Sequence, residues 1–250
     1  MYHSIREELH SDRHPYFETV TRPDTFRKQI GLLKRRGYQC VDFETAFDSS
    51  GRNLDRLVVI TFDDGFQDCY TNAFPILQEF GFSATIFLPT AFIGKNSNGL
   101  DGRAHLTWNQ VREMKLAGVA FGSHSIDHCK LEKIGFEELH RQLWESKAAI
   151  EDQIARVVNS FSHPFAFPEG NQDYTKRLHR ELERAGYQHG VTTRIGLSSR
   201  TDAPLFRKRI PVNEHDDEKL LIAKVQGDYD WLYLCQSLFK IIKSKLAFNV

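Results

Sequence analysis

Two short clusters hold the side chains from which a hydrolytic centre could be built. The first, Thr61-Phe62-Asp63-Asp64-Gly65, closes an apolar run, Leu57–Phe62. Consecutive strand side chains face opposite ways, but in the turn leaving a strand two adjacent carboxylates can reach one pocket from different angles. One of the pair could then bind a metal while the other handles a proton. The plainer alternative is a strand-ending turn, for which Asp-Gly is a common dipeptide. The second cluster, His124-Ser125-Ile126-Asp127-His128, also follows a strand-like stretch, Val119–Ser123. Histidines four apart meet one cation if the backbone turns helically between them. Otherwise they are surface residues of a loop, and with 11 histidines in the chain such spacing also arises by chance.

The clusters say more together than singly. One carboxylate and two imidazoles from separate strand ends form the donor set of a catalytic rather than a structural zinc, because three protein ligands leave room for water and substrate. Such a metal lowers the pKa of its water and polarises a carbonyl, and the spare aspartate is placed to take the proton. The same donors suit Fe(II) in non-haem oxygenases, but those enzymes usually sit on all-β folds.

The scaffold required is one that gathers strand ends. Apolar runs of four to six residues alternate with longer amphipathic stretches. Met1–Ile5, Leu57–Phe62, Ser83–Leu88, Val119–Ser123, Phe165–Phe167 and Phe206–Val212 read as strands. A helix opening at Pro23 and ending at Gly37, and another through Ala73, Ile76, Leu77 and Phe80 closed by Gly81, lie between them. Thr107-Trp108-Asn109-Gln110 fits a capping box, and Phe136–Val157 and Thr175–Ala185 are further helices. This alternation predicts an α/β fold with a parallel sheet, closed or nearly closed into a barrel, whose chemistry gathers where strands end. The 33 basic and 33 acidic residues leave no formal net charge, so no nucleic-acid partner is expected. Cys40, Cys69, Cys129 and Cys235 form no CxxC pair and read as reduced thiols. No apolar run approaches the ~20 residues that span a bilayer, and no basic-then-apolar signal segment opens the chain, so a cytoplasmic location is expected.

Thr61–Gly65 followed by His124-Ser-x-x-His128 resembles the first two motifs of the polysaccharide deacetylases, the NodB-homology group or carbohydrate esterase family 4. The likeness continues through Phe74-Pro75-Ile76-Leu77, Gly81-Phe82-Ser83-Ala84-Thr85 and Phe87, and covers roughly residues 1–212. It implies a distorted, incomplete (β/α) barrel and metal-dependent N-deacetylation of an N-acetylated carbohydrate. Asp63 would be the general base, and Asp64, His124 and His128 the ligands of a divalent ion, zinc first. The third motif departs from the usual Arg-x-Pro-Tyr-Gly and reads Ala166-Phe167-Pro168-Glu169-Gly170. The arginine that steadies the base is absent, as in the exopolysaccharide-type branch of the family. By resemblance the Glu169 N–H helps bind the oxyanion, which needs no particular side chain. Phe167, beside Pro168, is the aromatic residue expected to stack on sugar. Arg209 is the candidate for the missing positive charge, against the alternative of an ordinary strand-edge arginine.

The family's late Leu-x-x-His motif, source of its general acid, is missing as well. Met1-Tyr2-His3-Ser4-Ile5 resembles the segment that opens the circularly permuted biofilm-polysaccharide deacetylases, where an N-terminal histidine takes the acid's place. His3 is therefore the candidate to protonate the leaving amine, a task that suits imidazole near neutral pH. Its alternative is a strand histidine satisfied by backbone groups. Residues 213–250 read as a helical extension, with the apolar and basic stretch Leu232–Phe248 packed on the barrel. A helix lying on a membrane surface is the other reading of that tail, through Lys240, Lys243 and Lys245. The rivals in function are a small-molecule amidase on the same scaffold and a non-catalytic carbohydrate-binding or scaffold protein.

Overall fold

The computed structural model describes residues 1–9, 14–48, 55–95 and 99–233. Its centre is a six-stranded, all-parallel sheet of β5 (Thr61–Phe62), β6 (Thr85–Leu88), β7 (Ala120–Ser123), β8 (Ser160–Ser162), β9 (His189–Ile195) and β10 (Arg207–Arg209), neighbours in that order. The sheet curls into an incomplete barrel. Parallel neighbours need long crossovers, and helices supply four of them: α3 (Phe74–Phe80), α4 (Trp108–Leu116), α5 (Phe136–Ile154) and α6 (Gln172–Arg184). Because helices cover the outside, the strands are buried on both faces: β6 is buried throughout, and Phe62, Phe87 and Phe161 have almost no exposed surface. Gly122 leaves the room that this packing uses, since a Cβ there would lie 2.6 Å from the Phe87 ring.

Short two-stranded pairings flank the sheet: β1 (Ser4–Ile5) with β2 (Val20–Thr21), and β3 (Gln39–Cys40) with β4 (Leu57–Val58). The first segment also closes the gap between the edge strands. Tyr2 pairs with Phe62 of β5, its N–H donating to Thr61 O (2.8 Å) and its carbonyl accepting from Asp63 N (3.1 Å). On the other side the Met1 nitrogen donates to Ile210 O (2.8 Å), and Val212 N donates to Met1 O (3.1 Å). The N-terminal segment is thus a seam between the two ends of the sheet.

Several boundaries differ from those read in the sequence. The run Leu57–Phe62 is two strands, because the chain leaves β3 at Val58 and joins β6 only at Thr61. Phe165–Phe167 is not a strand. Pro164 and Pro168 bracket it without N–H donors, Phe165 is left-handed (φ 58°), and the strand lies earlier, at β8. Residues 189–195, which follow α6, form β9. The expected capping box is present: Thr107 Oγ1 accepts from Gln110 N (3.2 Å), and Gln110 Oε1 from Thr107 N (2.9 Å). Near the C-terminus α7 (Glu218–Gln226) packs beside α1 (Pro23–Arg35). Most of the expected Leu232–Phe248 helix, from residue 234 on, lies outside the described residues.

Candidate active site

The ends of β5, β7 and β8 converge on one buried polar centre. Asp63 and Asp64 follow β5, and His124 follows β7. Asp64, Ser125 and His128 all take left-handed backbone conformations (φ 68°, 65° and 50°). Such conformations cost non-glycine residues energy and persist only where the surroundings over-determine them. Asp64 Oδ1 lies 3.4 Å from His124 Nε2 and 3.3 Å from His128 Nε2. One donor atom from each of these residues falls within 4.8 Å of the others.

The hydrogen-bond pattern leaves a place for a cation at this point. His124 Nδ1–H donates to Ser162 O (2.8 Å), which turns the Nε2 lone pair toward Asp64. Asp64 Oδ1 is buried with no hydrogen-bond donor on it, and an unmet buried oxygen is costly. A divalent ion between this oxygen and the two neutral ring nitrogens would satisfy all three. Burial, with His124 next, pushes His128 down to about 4, so its ring is neutral. Burial opposes the charge on Asp64, but the contact with His124 and the charges of His3, His124 and His128 outweigh it and hold the carboxyl low. For His124 burial is likewise outweighed, by Asp63 and Asp64, and its pKa is raised.

Asp63 is held differently. Arg209, on β10, forks onto it, Nη1 to Oδ1 and Nη2 to Oδ2, both at 2.7 Å. The two side chains are 5% and 4% exposed. Arg209 is itself fixed by Thr192 O (3.2 Å from Nε) and by Ser162 Oγ (3.0 Å from Nη2). Ser162 Oγ then donates to Asp63 Oδ1 (3.2 Å). Burial favours a neutral Asp63, but the charges of Arg209 and His124 and the Arg209 hydrogen bonds override it and hold the carboxyl far below the carboxylate range. Arg209 is therefore no ordinary strand-edge arginine. Half-buried His3 completes the group. Burial, which outweighs the charges of Asp64 and Asp63, holds its pKa below the ordinary imidazole value.

Two expectations for the third motif are overturned. Phe167 is 0% exposed, wedged among His163, Phe206 and Arg194, and has no face for a sugar. The exposed aromatic is Phe165, 45% exposed with its ring centroid 4.5 Å from that of His128. The Glu169 N–H, expected at an oxyanion, instead donates to Phe167 O (3.1 Å) within the turn, and the Pro168 carbonyl accepts from Asn171 N (3.0 Å). Ser162 was not among the residues read from the sequence. A serine ending a strand carries no local sign that its hydroxyl and carbonyl serve two different site residues.

The model of the polysaccharide deacetylase family matches residues 50–190. The chain belongs to the polysaccharide deacetylase family, whose members are hydrolases acting on C–N bonds. YxkH of Bacillus subtilis (strain 168), whose name assigns it to the polysaccharide deacetylases, is 31% identical over 216 residues, 85% of this chain and 70% of its own. A poly-β-1,6-N-acetyl-D-glucosamine N-deacetylase of Escherichia coli (strain K12) is 26% identical over 235 residues; the match takes in 79% of this chain but only 34% of that one. The structure of the Streptococcus pyogenes deacetylase PplD in complex with acetate superposes with a TM-score of 0.76 at 26% identity, covering 89% of this chain and 95% of that one. Among the described residues no helix is long and apolar enough to cross a membrane.

Proposed function

We propose that this chain is a divalent-metal-dependent N-deacetylase of N-acetylhexosamine units in a polysaccharide or its precursor. The observation that carries the reading is the convergence of Asp64, His124 and His128 beside an independently anchored Asp63. The E. coli relative's name supports an N-acetylglucosamine polymer as substrate class. A bound divalent ion, zinc in the first instance, supplies Lewis acidity to the acetamide carbonyl and acidity to water. Asp64 and the two histidines hold it.

The remaining steps belong to the protein. Asp63 Oδ1 already accepts from Arg209 and Ser162, which fills its two acceptor sites, whereas Oδ2 accepts only from Arg209. Oδ2 is therefore the atom that takes the water proton. Water oxygen bonds to the acetyl carbon, the C–N bond breaks with its electron pair on nitrogen, and His3 gives that nitrogen a proton. Acetate and a free amine leave; of the two water protons, one on Asp63 and one on the new carboxyl group, one restores His3 and the other passes to solvent. Residues 1–212 serve as the catalytic barrel and residues 213–250 as its extension, with α7 against α1.

The test is metal analysis of the purified protein coupled to acetate release from N-acetylglucosamine oligomers, with and without chelator. Stoichiometric metal and chelator-sensitive release are expected. Asp63→Asn should abolish turnover with metal content nearly intact, and His128→Ala should lose both. Normal turnover by Asp63→Asn would refute the assignment.

A further inference from the structure

His3 stands where one kind of support for its strand ends and another begins. Up to Tyr2 the segment is carried by the β5 ladder; from Ser4 it pairs with β2 instead. At this junction three successive residues are held from one side by the turn that follows Asp64. Ser4 Oγ donates to Asp68 Oδ2 (2.6 Å), Cys69 Sγ meets His3 O (3.9 Å), and Asn72 Nδ2 donates to Ile5 O (2.7 Å). Arg103 locks the first contact, with Nη2 at 2.6 Å from both Ser4 Oγ and Asp68 Oδ2 and its guanidinium 3.6 Å over the Phe66 ring. Asp68 caps a π-helical turn, Cys69–Ala73, that contains Cys69 and Asn72 and in which Phe74 N reaches back to Cys69 O. Such widened turns are uncommon and recur at functional sites.

We propose that Asp68 and Asn72, with Arg103, are positioning residues that set His3 over the scissile nitrogen. The proposal rests on the reading of His3 as proton donor and extends it. Proton transfer demands placement within fractions of an ångström, and a displacement near 1 Å can cost about 100-fold. The Tyr2 ladder bonds fix one side of His3; on the other side the π-turn side chains add to the β2 pairing, in which the Ser4 N–H donates to Thr19 O (3.3 Å). Both anchors flank the same loop that carries Asp63 and Asp64, so acid, base and metal ligand share one frame.

The test uses the full chain and two substrates. N-acetylglucosamine oligomers expel an amine that needs a proton. 4-Nitrophenyl acetate expels nitrophenolate, which at pH 8 leaves without one. Asn72→Ala is expected to lower kcat on the oligomer by about tenfold, with KM, metal content and kcat on the aryl ester within twofold of the parent. In a His3→Ala background the same substitution should change oligomer kcat by less than twofold, since contributions routed through one residue are not additive. Ser4→Ala, which keeps the backbone and loses the Asp68 contact, should behave alike and serves if Asn72→Ala folds poorly. Equal losses on both substrates, equal losses in both backgrounds, or no loss from either variant would overturn the clamp while leaving His3 as donor. If His3→Ala itself leaves oligomer kcat within twofold, the donor reading falls and takes the clamp with it.

Discussion

Replacing Arg209 with methionine isolates the strongest electrostatic contact of the site. The substitution keeps much of the side-chain volume but strips Asp63 of both fork hydrogen bonds (2.7 Å each) in a place where the two side chains are 5% and 4% exposed. Leaving one partner of a buried pair uncompensated costs about 3–5 kcal/mol. His124 and His3 also act on Asp63, which places the cost toward the lower end. For a chain of this size 1 kcal/mol moves Tm by about 2–4 °C, so the midpoint should fall by roughly 6–20 °C. The companion Asp63→Asn/Arg209→Met removes both charges of this pair, and should recover most of that fall although it is inactive. Thermal melts of wild type, both single variants and the double variant, at one metal concentration, measure the coupling directly. An Arg209→Met melt within about 2 °C of wild type, or a double variant no more stable than Arg209→Met, would refute the argument that Arg209 neutralises Asp63.

Four further outcomes are expected. Ser162→Ala removes a hydroxyl bond to Asp63 but keeps the carbonyl that orients His124, so oligomer kcat should drop about tenfold, near 1.4 kcal/mol, with metal content unchanged by elemental analysis. Phe165→Ala should raise KM for long oligomers more than for the monomer, because the exposed ring beside His128 is the aromatic face within reach of a sugar. Ala155 ends α5 in a left-handed conformation (φ 48°), which costs a Cβ-bearing residue about 1–2 kcal/mol; Ala155→Gly should raise Tm by a few degrees. Burial pushes the Cys40 thiol up to about 11, so alkylation at pH 8, followed residue by residue in a mass spectrometer, should run about two orders of magnitude slower than for free cysteine. The rate should rise about tenfold per pH unit until near that value.

What the sequence disclosed about the site depended on how local the information was. Asp63 and Asp64 are adjacent, His124 and His128 are four apart, and each cluster directly follows a strand with a readable apolar pattern, so their convergence could be anticipated. The pairing of Arg209 with Asp63 spans 146 positions, and nothing in Arg-Ile-Pro names its partner. The third motif failed for a different reason. The expectation that Phe167 meets sugar rests only on its place in the motif, which says nothing of side-chain direction; the left-handed turn at Phe165 gives the two rings different surroundings, Phe167 buried and Phe165 exposed. Val191-Thr192-Thr193 is the β-branched signal that could have revealed β9, the strand that also supplies Thr192 O to Arg209.

The two features in which this chain departs from the common family pattern have one structural origin. On the proposed reading Arg209 on β10 takes the place of the missing motif arginine, and His3 on the first segment that of the missing late histidine. Those two elements are neighbours across the seam, joined by the Met1–Ile210 and Val212–Met1 hydrogen bonds. A strand order that closes on itself does not distinguish the beginning of a chain from its late strands; it distinguishes only positions around the ring. The proposed chemistry needs a cation at both oxygens of Asp63 and a proton donor for the leaving nitrogen. Any strand whose end reaches those points can supply them. On the proposed reading the cation that holds Asp63 and the proton donor share the seam, and Asp64, directly after β5, borders it as well. A change that loosens the seam thus displaces all three, whereas His124, after the central strand β7, lies away from it. Loss of turnover accompanied by weakened metal binding is therefore the signature that seam variants should share.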